Sequence, residues 1–285
     1  MMTVAAPDGG AIEVRDLVVA FGEQRALDGV SLSVRAGEVF GLLGPNGAGK
    51  TTMINVLATL LSPTAGSASV AGHDVVEEAA AVRSAISLTG QFAALDDMLT
   101  GEENLVLFGR LRGLSKSAAG SRAAALLERF SLTEAGGKAA GKYSGGMRRR
   151  LDLAASLVVP PRVLFLDEPT TGLDPRSRNE LWDVVRELRA DGMTIVLTTQ
   201  YLEEADQLAE RIVVIDAGAT VAEGTPDALK AQVGGQACVV TPADRARVAD
   251  LATALGDLGA VHVDSESGEV TLADCGPERL SEVIR

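Results

Sequence analysis

The chain has 285 residues, 46% of them apolar but only 3% aromatic, and a formal net charge of −13 at pH 7. That length fits one main domain with a modest appendage, and the apolar share is enough for a core built mostly of Ala, Val, Leu and Ile. An acidic balance repels phosphate backbones and argues against nucleic acid as a partner, with Arg148, Arg149 and Arg150 as a local basic exception.

The two cysteines, Cys238 and Cys275, lack metal-type spacing. The sequence leaves their pairing open, and such sparse cysteine favours a reducing compartment. Residues 1–10 have neither the basic start nor the apolar stretch of a secretory leader. No apolar run approaches the roughly 18 residues of a membrane helix, so any membrane role is expected to come through a partner.

In chain order, residues 12–19 and 30–34 are β-branched and apolar and predict two strands joined by a turn. Residues 39–43 form a short apolar strand that runs into a glycine-rich loop, and residues 51–60 then have helical character. Thr100 and Glu103 form a capping-box pair, with Leu105, Phe108 and Leu111 following at helical spacing. A second helix fits residues 117–130, with Leu126, Leu127 and Phe130 apolar. This stretch reads as a helical insertion, about residues 92–158, between α/β pieces.

Further on, residues 163–166 predict a buried strand. Asp174 and Pro175 then supply an N-cap and a first-turn proline for a helix whose apolar face is Leu181, Val184, Val185 and Leu188. A strand at 194–199, a helix at about 201–210, a strand at 212–215 and a short helix capped by Thr225 and Pro226 follow. Such alternation points to a largely parallel sheet with helices on its faces. After the Gly234-Gly235 linker, a strand at 237–240, a helix at 243–258, a hairpin at 261–264 and 269–272 turning near Ser267-Gly268, and a final helix after Pro277 make a small α+β module.

Three motifs carry the chemistry. Gly44-Pro45-Asn46-Gly47-Ala48-Gly49-Lys50-Thr51 fits the phosphate-loop pattern at every fixed position, with Thr52 following. Its glycines let backbone N–H groups approach phosphate oxygens, and the next helix adds its positive end. Lys50 can reach the β and γ phosphates of ATP, and the Thr51 hydroxyl can ligate Mg²⁺. The apolar run 163–166 ends in Asp167 and Glu168, which places two carboxylates at the strand edge where open α/β sheets bind ligands. Asp167 suits Mg²⁺ held through water, and Glu168 suits polarising the attacking water. The third motif, Ser144-Gly145-Gly146, opens a second candidate phosphate site at a helix start, although a plain Ser N-cap reads the same residues. Two such helix starts in one chain point to the second serving a nucleotide on a partner copy.

Together the segments YSGGMRRRLDLA at 143–154, FLDEPTTGLDPRSR at 165–178 and TTQYLEEADQLAERIVVID at 198–216 resemble the ATPase subunits of ABC transporters. They look most like the daunorubicin-resistance type, which pairs with ABC-2-type export permeases. The resemblance covers about residues 12–229 well and the tail loosely. It implies a P-loop ABC-type ATPase domain at 11–232, with a helical insertion and an antiparallel β subdomain. A small accessory module is expected at 236–285. Activity would be ATP hydrolysis driving export of a drug, other amphipathic molecule or lipid. The chain would act at the cytoplasmic face of the cell membrane, as an ATP-bound homodimer on a separate integral membrane permease.

The resemblance also places single residues. Gln91 falls where the family's glutamine meets Mg²⁺ and the permease, the other reading being a polar loop residue. Asp174 falls at the dimer interface as well as at its N-cap. Phe21 falls where an aromatic ring stacks on adenine, or else is a strand-end core residue. Gln200 stands where most of the family carry histidine. Glutamine can donate a hydrogen bond to the γ-phosphate but cannot carry a proton. His73 and His262 lie outside every motif. DNA-repair ATPases of this superfamily carry a long coiled coil in the insertion, and ribosome-associated members carry two cassettes; this sequence has neither.

Overall fold

The computed structural model describes residues 10–90, 94–233, 238–242, 244, 247–256, 258–264 and 268–272. Gln91, Gly234, Gly235, Ala237, Ala243, Ser267, Cys275 and the helix expected after Pro277 lie outside them. By internal contacts the chain divides into two units, Met1–Glu223 and Gly224–Arg285. The boundary expected from the sequence lies later, so the helix capped by Thr225 groups with the second unit rather than the first.

The first unit opens with β1 (Ile12–Phe21) and β2 (Gln24–Val34), an antiparallel pair. β2 starts well before the apolar stretch that marked it in the sequence. Its first residues are polar because that part of an antiparallel edge faces solvent. β3 (Val39–Leu43), fully buried, leads into α1 (Lys50–Leu57). α1 stops earlier than predicted, since Thr59 takes a left-handed φ of 62°.

Four elements follow that the sequence reading did not assign: β4 (Ala65–Val70), β5 (His73–Asp74), α2 (Ala79–Ala85) and β6 (Ile86–Thr89). The helical insertion holds α3 (Gly101–Leu111), α4 (Lys116–Arg129) and α5 (Gly145–Ser156). Thr100 and Glu103 make the reciprocal capping box. Leu105 is fully buried, but Leu111, expected on the same apolar face, is 72% exposed because the helix ends there.

β7 (Val163–Asp167), α6 (Pro175–Ala190), β8 (Thr194–Thr199), α7 (Leu202–Leu208), β9 (Arg211–Asp216) and β10 (Ala219–Gly224) complete the alternation. Asp174 caps α6 by accepting from Ser177 N at 3.0 Å. The six-stranded sheet has the order β10-β9-β3-β8-β7-β6, with the pairs among β9, β3, β8, β7 and β6 parallel. A second sheet has the order β2-β1-β4-β5 and is antiparallel.

The central strands are buried on both faces, and alternate residues feed two cores. Val163 and Phe165 of β7 pack with α1 and the antiparallel sheet. Leu164 and Leu166 pack with α4, α5 and α6. The phosphate loop and the end of β7 are therefore fixed by strands that cannot shift register without exposing one core.

The second unit contains α8 (Pro226–Val233), β11 (Cys238–Val240), α9 (Val248–Gly256), β12 (Val261–Val263) and β13 (Val270–Leu272). Its antiparallel sheet has the order β11-β13-β12 around a small core of Leu255, Val270 and Leu272. The predicted hairpin is there, with Gly268 at φ 78° in its turn. Among the described residues no helix is long and apolar enough to cross a membrane.

Candidate active site

Two chain segments meet at the end of the parallel sheet. The loop after β3 turns back on itself: Gly47 has φ 81° and Gly49, the N-cap of α1, has φ 110°. A Cβ at Gly49 would stand 2.5 Å from Ala26 O, and one at Gly44 would stand 2.1 Å from Ile215 O. Those glycines are required by close backbone approach. The loop encloses Lys50, whose buried ammonium donates to Gly44 O at 2.8 Å and Pro45 O at 3.0 Å.

The end of β7 lies against this loop. Lys50 Nζ is 3.5 Å from Glu168 Oε1, and both side chains are buried. Thr51 Oγ1 donates to the Asp167 carboxylate at 3.1 and 3.3 Å, and Thr198 Oγ1 donates to Asp167 Oδ1 at 2.5 Å. Glu168 adopts φ 48°, a left-handed conformation that costs a Cβ-bearing residue roughly 1–2 kcal/mol. Its N–H is held by Thr198 O at 3.2 Å and Thr198 Oγ1 at 3.0 Å, and Thr171 Oγ1 donates to its Oε2 at 3.2 Å.

A cavity of about 350 Å³ opens over these groups, lined by Asn46, Gly47, Gly49, Lys50, Thr51, Thr52 and Glu168. Gln24, Arg25, Ala26, Ala217 and Gly218 also line it. Sequence reading missed these last residues. They come from hairpin tips distant in the chain, and only the Ala217-Gly218 pair, with φ 46° and 79°, carries a turn signal.

Gln200 follows β8 and is half-buried, next to Thr199, whose carbonyl accepts from Gly44 N at 3.2 Å. Phe21 is 56% exposed at the tip of the β1–β2 hairpin, so it is no core residue, and it does not line the cavity. Ser144 caps α5 by accepting from Met147 N at 3.2 Å. Gly145 is exposed, while Gly146 is buried against α6. Asp174 is exposed, and the hydrogen bonds from the hydroxyl and then the backbone of Ser177 hold its carboxyl below the usual carboxylate range. Among the described residues no group of His, Cys, Asp and Glu could hold a metal ion unaided.

A phosphate loop facing two carboxylates at the carboxyl edge of a parallel sheet defines a P-loop ATPase. The family described as ABC transporter matches residues 27–171. The chain belongs to the ABC transporter family, as an ATP-binding and ATP-hydrolysing subunit. It is 56% identical over 285 residues to the doxorubicin resistance ATP-binding protein DrrA of Mycobacterium tuberculosis, covering 98% of this chain and 86% of that protein. It is 43% identical to the Nod factor export ATP-binding protein I of Burkholderia lata, covering 84% of this chain and 79% of that protein. The ADP conformation of an ATP-binding cassette of an ABC transporter superposes with a TM-score of 0.69 at 28% identity, covering 76% and 91% of the two chains. A dimeric cassette in a post-hydrolysis state bound to ADP and Pi gives a TM-score of 0.68 at 26% identity, covering 75% and 98%.

Proposed function

We propose that this chain energises export of a drug, another amphipathic small molecule or a lipid through a separate integral membrane permease of the ABC-2 type. Similarity to proteins named for doxorubicin resistance and for Nod factor export supports that cargo class. The observation that carries the chemistry is the meeting of the phosphate loop with Asp167 and Glu168, above all the 3.5 Å between Lys50 and Glu168.

In this reading residues 44–52 cradle the phosphates of ATP, with Lys50 turning to the β and γ phosphates. The hydroxyl of Thr51 and the carboxylate of Asp167 are hard oxygen donors side by side, which fits Mg²⁺ completed by phosphate and water. Mg²⁺ bound there would neutralise charge on the β and γ phosphates. Glu168 takes the proton of the attacking water as its oxygen bonds to the γ-phosphorus and the bond to the ADP oxygen breaks. Gln200 donates to the γ-phosphate. Gln91 serves Mg²⁺ and the permease, and Phe21 stacks on adenine from its exposed position.

Ser144, Gly145 and Gly146 would face the nucleotide of a second copy, with Asp174 across the same interface. The dimeric relative supports this arrangement. The chain would work on the cytoplasmic face, where ATP is available, with residues 11–232 as the ATPase domain and 236–285 as an accessory module. The insertion is the proposed permease contact. Among the described residues, Met98, 86% exposed, and Leu111, 72% exposed, are its most solvent-facing large apolar residues. Photo-cross-linkers at these two positions in membranes should recover an integral membrane protein, and recovery of ribosomes or DNA alone would overturn the transporter role.

A further inference from the structure

Arg149 projects from α5, the helix that Ser144 opens, yet its guanidinium bonds to two other segments. Nε donates to Pro169 O at 2.8 Å, Nη2 to Asp167 O at 3.4 Å and Nη1 to Gly90 O at 2.6 Å. Nη1 also lies 3.4 Å from Asp152 Oδ2, one turn along the same helix. Asp167 and Pro169 flank Glu168, so one side chain grips the carbonyls on both sides of that residue. Gly90 directly precedes Gln91. Burial lowers the pKa of the guanidinium, and the carboxylates of Asp152, Asp167 and Glu204 oppose that effect.

Glu168 needs such a grip because its left-handed backbone is disfavoured for any residue with a Cβ. From β8, Thr198 holds its N–H through both carbonyl and hydroxyl. From α5, Arg149 holds the flanking carbonyls. A planar fork of donors suits this task, whereas an ammonium is a point charge that reaches fewer acceptors at once.

We propose that Arg149 is a positioning residue for hydrolysis, holding the 167–169 turn so that the Glu168 carboxylate faces the phosphate loop. The proposal rests on Glu168 being the water-activating carboxylate. It also makes α5 a mechanical link: a shift of this helix when Ser144 and Gly145 meet a nucleotide would reach Glu168 through a single side chain.

The test measures ATP equilibrium binding and steady-state turnover on the full-length wild type, Arg149→Lys, Arg149→Ala and Glu168→Gln. Both Arg149 variants should bind ATP within about threefold of wild type while kcat falls at least roughly tenfold, alanine more than lysine. Arg149→Lys keeps the buried positive charge, so it decides alone if the alanine variant does not fold. A folded Arg149→Lys with wild-type kcat, or a loss confined to KM, overturns the positioning role. Turnover that survives Glu168→Gln would instead sink the reading of Glu168 itself, whatever the Arg149 variants do.

Discussion

A Cβ added to Gly146 would stand 2.3 Å from Oγ of Ser177, on the first turn of α6. Gly146 is thus required within one subunit for α5 to approach α6, before any partner nucleotide is considered. Gly145 differs, because a Cβ there meets only Leu173 at 3.9 Å.

The two glycines should therefore separate folding from assembly. Gly146→Ala should destabilise the isolated chain by about 1–3 kcal/mol through overpacking, read as a shift of the denaturant midpoint. Gly145→Asp should leave the fold intact, since an acid in the first turn suits the helix dipole. In a Glu168→Gln background it should abolish the ATP-dependent dimer in size-exclusion chromatography while ATP binding survives. A dimer that persists equally well would remove this turn from the interface.

In the proposed role Gln200 would donate one hydrogen bond to the γ-phosphate, and its amide holds no titratable proton. Gln200→Ala should slow hydrolysis with ADP affinity unchanged, as a neutral contact worth about 0.5–1.5 kcal/mol would do. Gln200→His should stay active. An inactive histidine variant would show that the site is built around the amide.

Asp152 gives a pH signature. Burial raises its pKa from 3.8 to about 6, against the opposing pull of Arg149. Between those values the folded chain holds a proton that the unfolded chain has released, so this group's contribution to stability falls as pH rises from about 4 to about 6. The loss totals on the order of 3 kcal/mol and levels off above the folded pKa. Asp152→Asn should gain on wild type across that window and keep a constant lead above it, measured by denaturant unfolding at each pH. A lead that does not vary with pH would assign the titration elsewhere.

The phosphate loop and the Asp167-Glu168 pair were legible because each is a run of consecutive residues ending a buried strand. The flanking strands β3, β7 and β8 were legible for the same reason: unbroken apolar runs mark strands buried on both faces. β4 was not, because Ala-Gly-Ser-Ala-Ser-Val carries small, half-exposed residues whose pairing with β1 supplies the order. Arg149 read only as part of a basic cluster, since its acceptors at Gly90, Asp167 and Pro169 are remote in the chain. Gly146 read as a phosphate contact, and its approach to Ser177 could not be seen before α5 and α6 were packed.

The end of β7 and the phosphate loop are proposed to form one hydrolytic site with Glu168 as its base. The decisive measurement is ATP turnover by Glu168→Gln on a sample whose ATP binding is intact. Turnover should drop by roughly 10²-fold or more. Steady-state hydrolysis equal to wild type in that sample would remove Glu168 from this role.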